Sequence, residues 1–150
     1  MLANALIDQG VDIVIQHTDS PAPLIAAEKR GVMGIGQASD MSHFAPKSHM
    51  FSVRDVWAPY YISTVKRVME DKWESEDYWS GFKDDILQIV SVNPDLPAEI
   101  KTAITETHDK IKSGAFEPFT GPLKDNTGKE MVASWRDYDR SRTVWYELVC

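Results

Sequence analysis

The thirty residues 11–40, VDIVIQHTDSPAPLIAAEKRGVMGIGQASD, constrain this chain more than any other stretch. Residues 11–15 form a short apolar run rich in β-branched side chains, the composition of a strand in a buried parallel sheet. The polar residues 16–20 follow. A helix is predicted over residues 24–30, with Ser20 as its N-cap and a proline in the first turn. Gly31 is suited to end that helix because glycine accepts a positive φ. Residues 32–36 form a second strand, and residues 37–40 a second polar loop. The result is one β-α-β unit with both polar loops at the carboxyl ends of its strands, where open parallel sheets bind their ligands. The pattern predicts a crevice and specifies no reaction.

The flanking segments extend the same architecture. Residues 1–10 read as a helix, with Leu2, Ala5, Leu6 and Gln9 at helical spacing and Gly10 as the stop. Residues 49–54 are a third strand. A helix starts near Trp57, carries Tyr61, Val65 and Val68 on one face, and runs out near Lys72, with Pro59 in its first turn. Residues 73–83 are an aromatic-rich loop and residues 85–92 a fourth strand. From Pro97 an amphipathic helix places Ile100, Ala103, Ile104, Thr107 and Ile111 inward and ends at Gly114. Residues 116–126 are rich in turn formers, and residues 129–133 are a last short strand. From about residue 135 the chain is strongly charged and atypical, and residues 143–150 are readable as either helix or strand. The reading is one α/β lobe over residues 1–150, in three layers (αβα) with a mostly parallel sheet.

Composition narrows the function classes. A net charge of −7 argues against nucleic acid or an acidic membrane surface as partner, since both select a basic patch. The single cysteine, Cys150, allows no internal disulfide and no multi-cysteine metal site. No apolar run is long enough to span a membrane, and no export signal opens the chain, so the chain as written is expected to remain in the cytoplasm. The four histidines lack metal-ligand spacing, and no nucleophile elbow is present, so neither a metal nor a catalytic constellation is predicted.

The candidate binding groups lie at the strand ends. Asp19, Asp40 and Asp55 are expected to converge on one crevice, where a carboxylate accepts hydrogen bonds from amines, ring N–H groups or hydroxyls. Each has a plainer role open to it, as the cap of its own turn. Gln16, His17, Thr18 and Gln37 add neutral donors and acceptors, a set suited to a polar planar ligand more than to a phosphate, which selects glycine-rich loops or arginines. Trp57 and Trp79 are placed to stack on a flat ring. Tyr61 reads as core.

Several of these runs resemble the basic membrane protein (BMP) family of substrate-binding proteins of bacterial ABC importers, which includes purine-nucleoside receptors. They are ALIDQGVD at residues 5–12, QHTDSPAP at 16–23, GQASDM at 36–41, WAPYY at 57–61, YWSGFKD at 78–84 and FEPFTGP at 116–122. The likeness runs from about residue 2 to about residue 130 and is to the carboxyl-terminal lobe alone. It implies half of a two-lobed fold of the type I periplasmic-binding-protein kind, a purine ligand gripped between lobes, a permease partner, no catalysis and no cofactor. It also implies a periplasmic or lipid-anchored setting. Nucleoside-binding members carry a ribose-gripping aspartate in a pattern like GVDSDQ. Here its first aspartate falls on Ala38 and its second on Asp40, and a lysine common in the next strand is not evident. The resemblance therefore favours a free base such as adenine, held by Thr18, Asp19, Gln37, Ser39, Asp40 and Asp55 with Trp57 and Trp79.

Two further readings compete with this one. One is a truncated receptor fragment without function, whose uncovered face also invites homodimerisation. The other is a nucleoside-processing enzyme using Asp19 and Asp40.

Overall fold

The computed structural model describes residues 2–118 and 121–132, and the chain divides into two compact units at Ser113 and Gly114. The first unit holds a four-stranded sheet in the order β1-β2-β3-β4, with β1 at Ile13–Ile15, β2 at Met33–Ala38, β3 at His49–Asp55 and β4 at Leu87–Val90. The first two ladders are parallel: Ile13 pairs with Met33, and Gly36 with Ser52. The third is antiparallel, pairing Ser52 with Val90 and Asp55 with Leu87. The expected mostly parallel sheet is therefore present, with an antiparallel edge. The reason lies in the connection. A parallel neighbour requires a crossover that packs across the sheet. The helix after β3, α3 (Ala58–Met69), buries no residue against the sheet. The chain returns to the end it left, where the Val56 amide donates to the Ile86 carbonyl, and β4 runs back.

The layers follow from the pleat. Successive strand residues face opposite sides. A Cβ at Gly34 would lie 2.5 Å from Leu24 Cδ2, so Gly34 and Gly36 face the helix α2 (Ala22–Arg30). Ile35 and its partner Phe51 face the other side, where Phe51 and Ile89 line one open pocket with Ile100, Ile104 and Ile111 of α4 (Ala98–Ser113). Helices thus cover both faces. Gly31 caps α2 at φ 69°, its amide reaching the carbonyls of Ala27 and Glu28, as the sequence predicts.

The core forms on the α2 side. Ala3 and Ile7 of α1 (Leu2–Asp8) pack with Val14, Ala26 and Ala27, while Leu24, Met41 and Ala45 make a second cluster. The spacing of Leu2, Ala5, Leu6 and Gln9 indicates the helix and leaves its buried row open. Ala3 and Ile7 are its buried pair, and Leu2 and Leu6 open outward. Because α1 packs on α2 beside β1, the row one position round from Leu2 and Leu6 meets the core. The Asp8–Arg30 ion pair, at 2.6 Å, ties the two helices.

One correction concerns Tyr61, expected in the core and in fact 60% exposed. Its helix α3 has its apolar face exposed, with Ile62, Val65, Val68 and Met69 all more than half accessible. In the second unit β5 (Leu123–Lys124) and β6 (Glu130–Val132) form an antiparallel pair. The last strand predicted over residues 129–133 is present as β6, and Ala133 lies outside the described residues. The atypical tail from about residue 135 also lies outside them.

Candidate ligand-binding site

The carboxyl ends of β1, β2 and β3 lie side by side, as the register of two parallel ladders dictates. With strands roughly 4.8 Å apart, the ends of β1 and β3 are about 10 Å apart. Beside the end of β1 is an open pocket of about 430 Å³. Gln16, His17, Thr18 and Ser20 form its polar edge, and Leu2 and Leu6 its apolar wall. The Thr18 hydroxyl donates to Gln16 Oε1 at 2.7 Å. The Gln16 amide nitrogen donates to the sulfur of Met41, so this buried glutamine is fixed at both ends. Ser20 accepts from the Ala22 amide at 3.2 Å and so serves the start of α2 as expected, although the cap position itself is Pro21. Asp19 is exposed and is not among the residues of the pocket wall.

The second loop begins at the end of β2. Ala38 takes φ 65°, a left-handed conformation that costs a residue with a Cβ about 1 kcal/mol or more. The chain reverses there, so that the Met41 amide donates to Ser52 Oγ at 3.1 Å, beneath the sheet on the α2 side. Asp40 is held at both oxygens. Its Oδ1 accepts from the Ser42 amide at 3.0 Å, and its Oδ2 accepts from the Ser91 hydroxyl. The Ser91 hydroxyl bond, followed by that of the Ser42 amide, holds the Asp40 carboxyl down to about 2, so the group is ionised throughout the neutral range. Ser91 follows β4, whose register carries it past Ser52 and away from Asp55. Asp40 is thus tied to the β4 side of the molecule. Its hydrogen-bond partners, Ser42 and Ser91, are not shared with Asp19 or Asp55 among the described residues.

At the end of β3, Asp55 is half-buried opposite Leu87. The Arg54 guanidinium donates to Gln88 Oε1 at 2.6 Å. Trp57, 43% exposed, gathers Tyr60 edge-on at 6.0 Å between ring centroids, Tyr61 stacked at 6.3 Å and Tyr78 at 6.4 Å. Trp79 stands in the loop beyond, largely exposed. Gln37 is half-buried and Ser39 exposed. Sequence reasoning passed over Ser52, His49 and Ser91. Their local signal is only a small or polar residue in or just after a strand; Ser52 meets His49 three residues away and Met41 eleven away, and Ser91 meets Asp40 across 51 residues. Among the described residues, no group of three or more His, Cys, Asp or Glu side chains is placed to hold a metal ion, and no helix is long and apolar enough to cross a membrane.

An open, mostly parallel sheet, helices on both faces and a polar rim with a pocket at the strand ends define a class: an α/β lobe with a candidate ligand site at its strand ends. Solved structures share this fold. A solute-binding protein of an ABC transporter from Aeropyrum pernix matches with a TM-score of 0.61 at 15% identity over 84% of this chain and 44% of its own. A Bacillus halodurans protein described as a transcriptional activator of the comK gene matches with a TM-score of 0.66 at 22% identity over 78% and 42%. At such identities the likeness is of fold alone.

The family is narrower. The chain belongs to the Bmp family, ABC transporter substrate-binding proteins of the PnrA-like kind, whose family model matches residues 1–117. It is 43% identical over 137 residues to a purine-binding protein of Brucella abortus, covering 91% of this chain and 39% of the relative. It is 28% identical over 130 residues to a Haloferax volcanii protein assigned by name to ABC-transporter glucose binding, covering 87% and 33%. The chain thus spans between a third and two fifths of the length of these relatives.

Proposed function

We propose that this chain is the carboxyl-terminal lobe of an ABC-importer receptor that binds a purine base, adenine in preference to a nucleoside, without catalysis. The observation that carries the reading is the 43% identity to a purine-binding protein across the segments that build the strand-end rim. The chemistry of that rim agrees with it. Thr18 and Gln37 offer neutral hydrogen-bonding groups, Asp19, Asp40 and Asp55 offer carboxylate acceptors, and Ser39 offers a hydroxyl. Trp57 and Trp79 present ring faces, and a stacked base is worth about 1–3 kcal/mol in nucleic-acid complexes. The preference for a base over a nucleoside rests on Ala38, which stands where nucleoside-binding members carry the ribose aspartate. The receptor works outside the cytoplasm with a membrane permease as its partner, as the family does.

Calorimetric titration of the chain with adenine, adenosine and glucose tests the reading. A whole site of micromolar strength has about 8 kcal/mol of binding free energy, and half of that, about 4 kcal/mol, corresponds to millimolar binding. The expected result is millimolar adenine binding with adenosine and glucose weaker. Adenosine or glucose binding more tightly than adenine overturns the assignment of the ligand. Binding of none of the three overturns the claim that this lobe holds half of the site.

A further inference from the structure

Beneath the rim, three polar side chains from β3 and the β4 end converge on the loop that follows β2. Ser52 is fully buried and sits under Gly36, where a Cβ would lie 2.2 Å from Ser52 Oγ and 3.0 Å from Met41 Cβ. The bare glycine leaves room for that hydroxyl to reach the Met41 amide. The same oxygen lies 2.7 Å from Nε2 of His49, itself buried. A hydroxyl has one proton and two lone pairs. Ser52 Oγ accepts from Met41, and its proton has His49 Nε2 as its one partner among the described residues. Donation of that proton to Nε2 leaves the imidazole neutral with its own proton on Nδ1, and this is the arrangement on which the inference below rests. Burial pushes His49 below its ordinary value, against the opposing pull of the Asp40 charge, in agreement with a neutral ring. On the other side of Met41, Ser91 and the Ser42 amide hold Asp40. The left-handed residues Ala38 (φ 65°) and Ser91 (φ 52°) flank this arrangement, and such conformations persist where surrounding contacts over-determine them.

We propose that His49, Ser52 and Ser91 are positioning residues of the solute site: a relay from His49 through Ser52 to the Met41 amide, with Ser91 on Asp40, sets where Gln37–Asp40 stand for the ligand. The inference rests on the proposed binding reading for its ligand and on the hydrogen bonds alone for its geometry.

The test uses the whole chain, with adenine as the probe. Ring-nitrogen shifts of His49 are expected to show the proton on Nδ1. Ser52→Ala is expected to speed hydrogen exchange of the Met41 amide roughly ten-fold, with the amides of Val14 and Ala27 unchanged. The same variant is expected to weaken adenine binding about ten-fold. His49→Gln keeps an acceptor for the Ser52 hydroxyl and is expected to bind adenine nearly as the parent does. His49→Leu is expected to bind it as weakly as Ser52→Ala. A proton on Nε2 in the parent chain overturns the relay even if every variant fails to fold. Unchanged Met41 exchange in Ser52→Ala, or equal adenine binding by His49→Gln and His49→Leu, overturns it too. A parent chain with the expected tautomer and a protected Met41 amide that binds no adenine overturns the purine reading instead.

Discussion

Gly36 and Ala38 show how two small side chains set the site. At Gly36 any Cβ falls on the Ser52 hydroxyl, which is itself buried and cannot swing into solvent. Gly36→Ala is therefore expected to lower stability by about 1–3 kcal/mol, the usual cost of overpacking, as read from urea unfolding. Ala38 occupies a left-handed conformation that aspartate tolerates better than most residues. Ala38→Asp introduces the carboxylate that the resemblance implies for ribose in nucleoside-binding members. It is expected to raise adenosine affinity relative to adenine by about ten-fold or more, the scale of a hydrogen bond to a charged group, measured by competitive titration. The buried His49 supplies a pH dependence. Its folded-state value lies below the ordinary 6.5, so the unfolded chain binds the proton more readily. Its contribution to stability is complete above about pH 6.5 and declines as pH falls through the lower folded value. Asp40 acts in the same sense at lower pH, between 3.8 and about 2. Urea midpoints between pH 5 and 8 are expected to fall on acidification in the parent and to fall less in His49→Gln.

The elements were legible in the sequence to different degrees. The β-α-β unit was plain because its signals are short in range: β-branched runs, a proline in the first turn, and a glycine at the left-handed cap of α2. The length of α3 followed from its apolar period and from Pro59. Its surroundings did not, since a period shows which face is apolar and is silent on what packs there. Val65 and Met69 are 58% and 79% exposed, whereas Leu24 of α2 is fully buried. Val65→Ser is expected to change stability by no more than about 0.5 kcal/mol, while Leu24→Ala is expected to cost about 2–5 kcal/mol, both from thermal or urea unfolding. The direction of β4 was equally hidden, because alternation along a strand is the same whichever way its neighbour runs. For α1 the spacing of Leu2, Ala5, Leu6 and Gln9 indicated a helix, and packing on α2 selected the row of Ala3 and Ile7.

At the scale of the whole molecule, the chain belongs to a receptor family yet spans less than half of the relatives it matches. Ile13 and Ile15 on the outer side of β1, together with the apolar face of α3, are exposed. Thr18, Asp19, Gln37, Ser39, Asp40, Asp55 and Trp57 lie at or just after the carboxyl ends of β1, β2 and β3, because strand order and parallel register follow from local pattern and short connections. Their partners were not readable there. Asp40 meets Ser91 across 51 residues of chain, and Asn93 reaches the His49 carbonyl across 44. By itself the sequence determined the β-α-β order, the cap at Gly31, the strand-end placement of the polar loops and the family. Only the tertiary structure decided that Asp40 turns to Ser91, that β4 runs backward and that α3 shows its apolar face to solvent. The division has a physical cause: capping and periodicity act within a few residues, whereas a hydrogen bond or a buried face depends on which distant segment packing brings alongside.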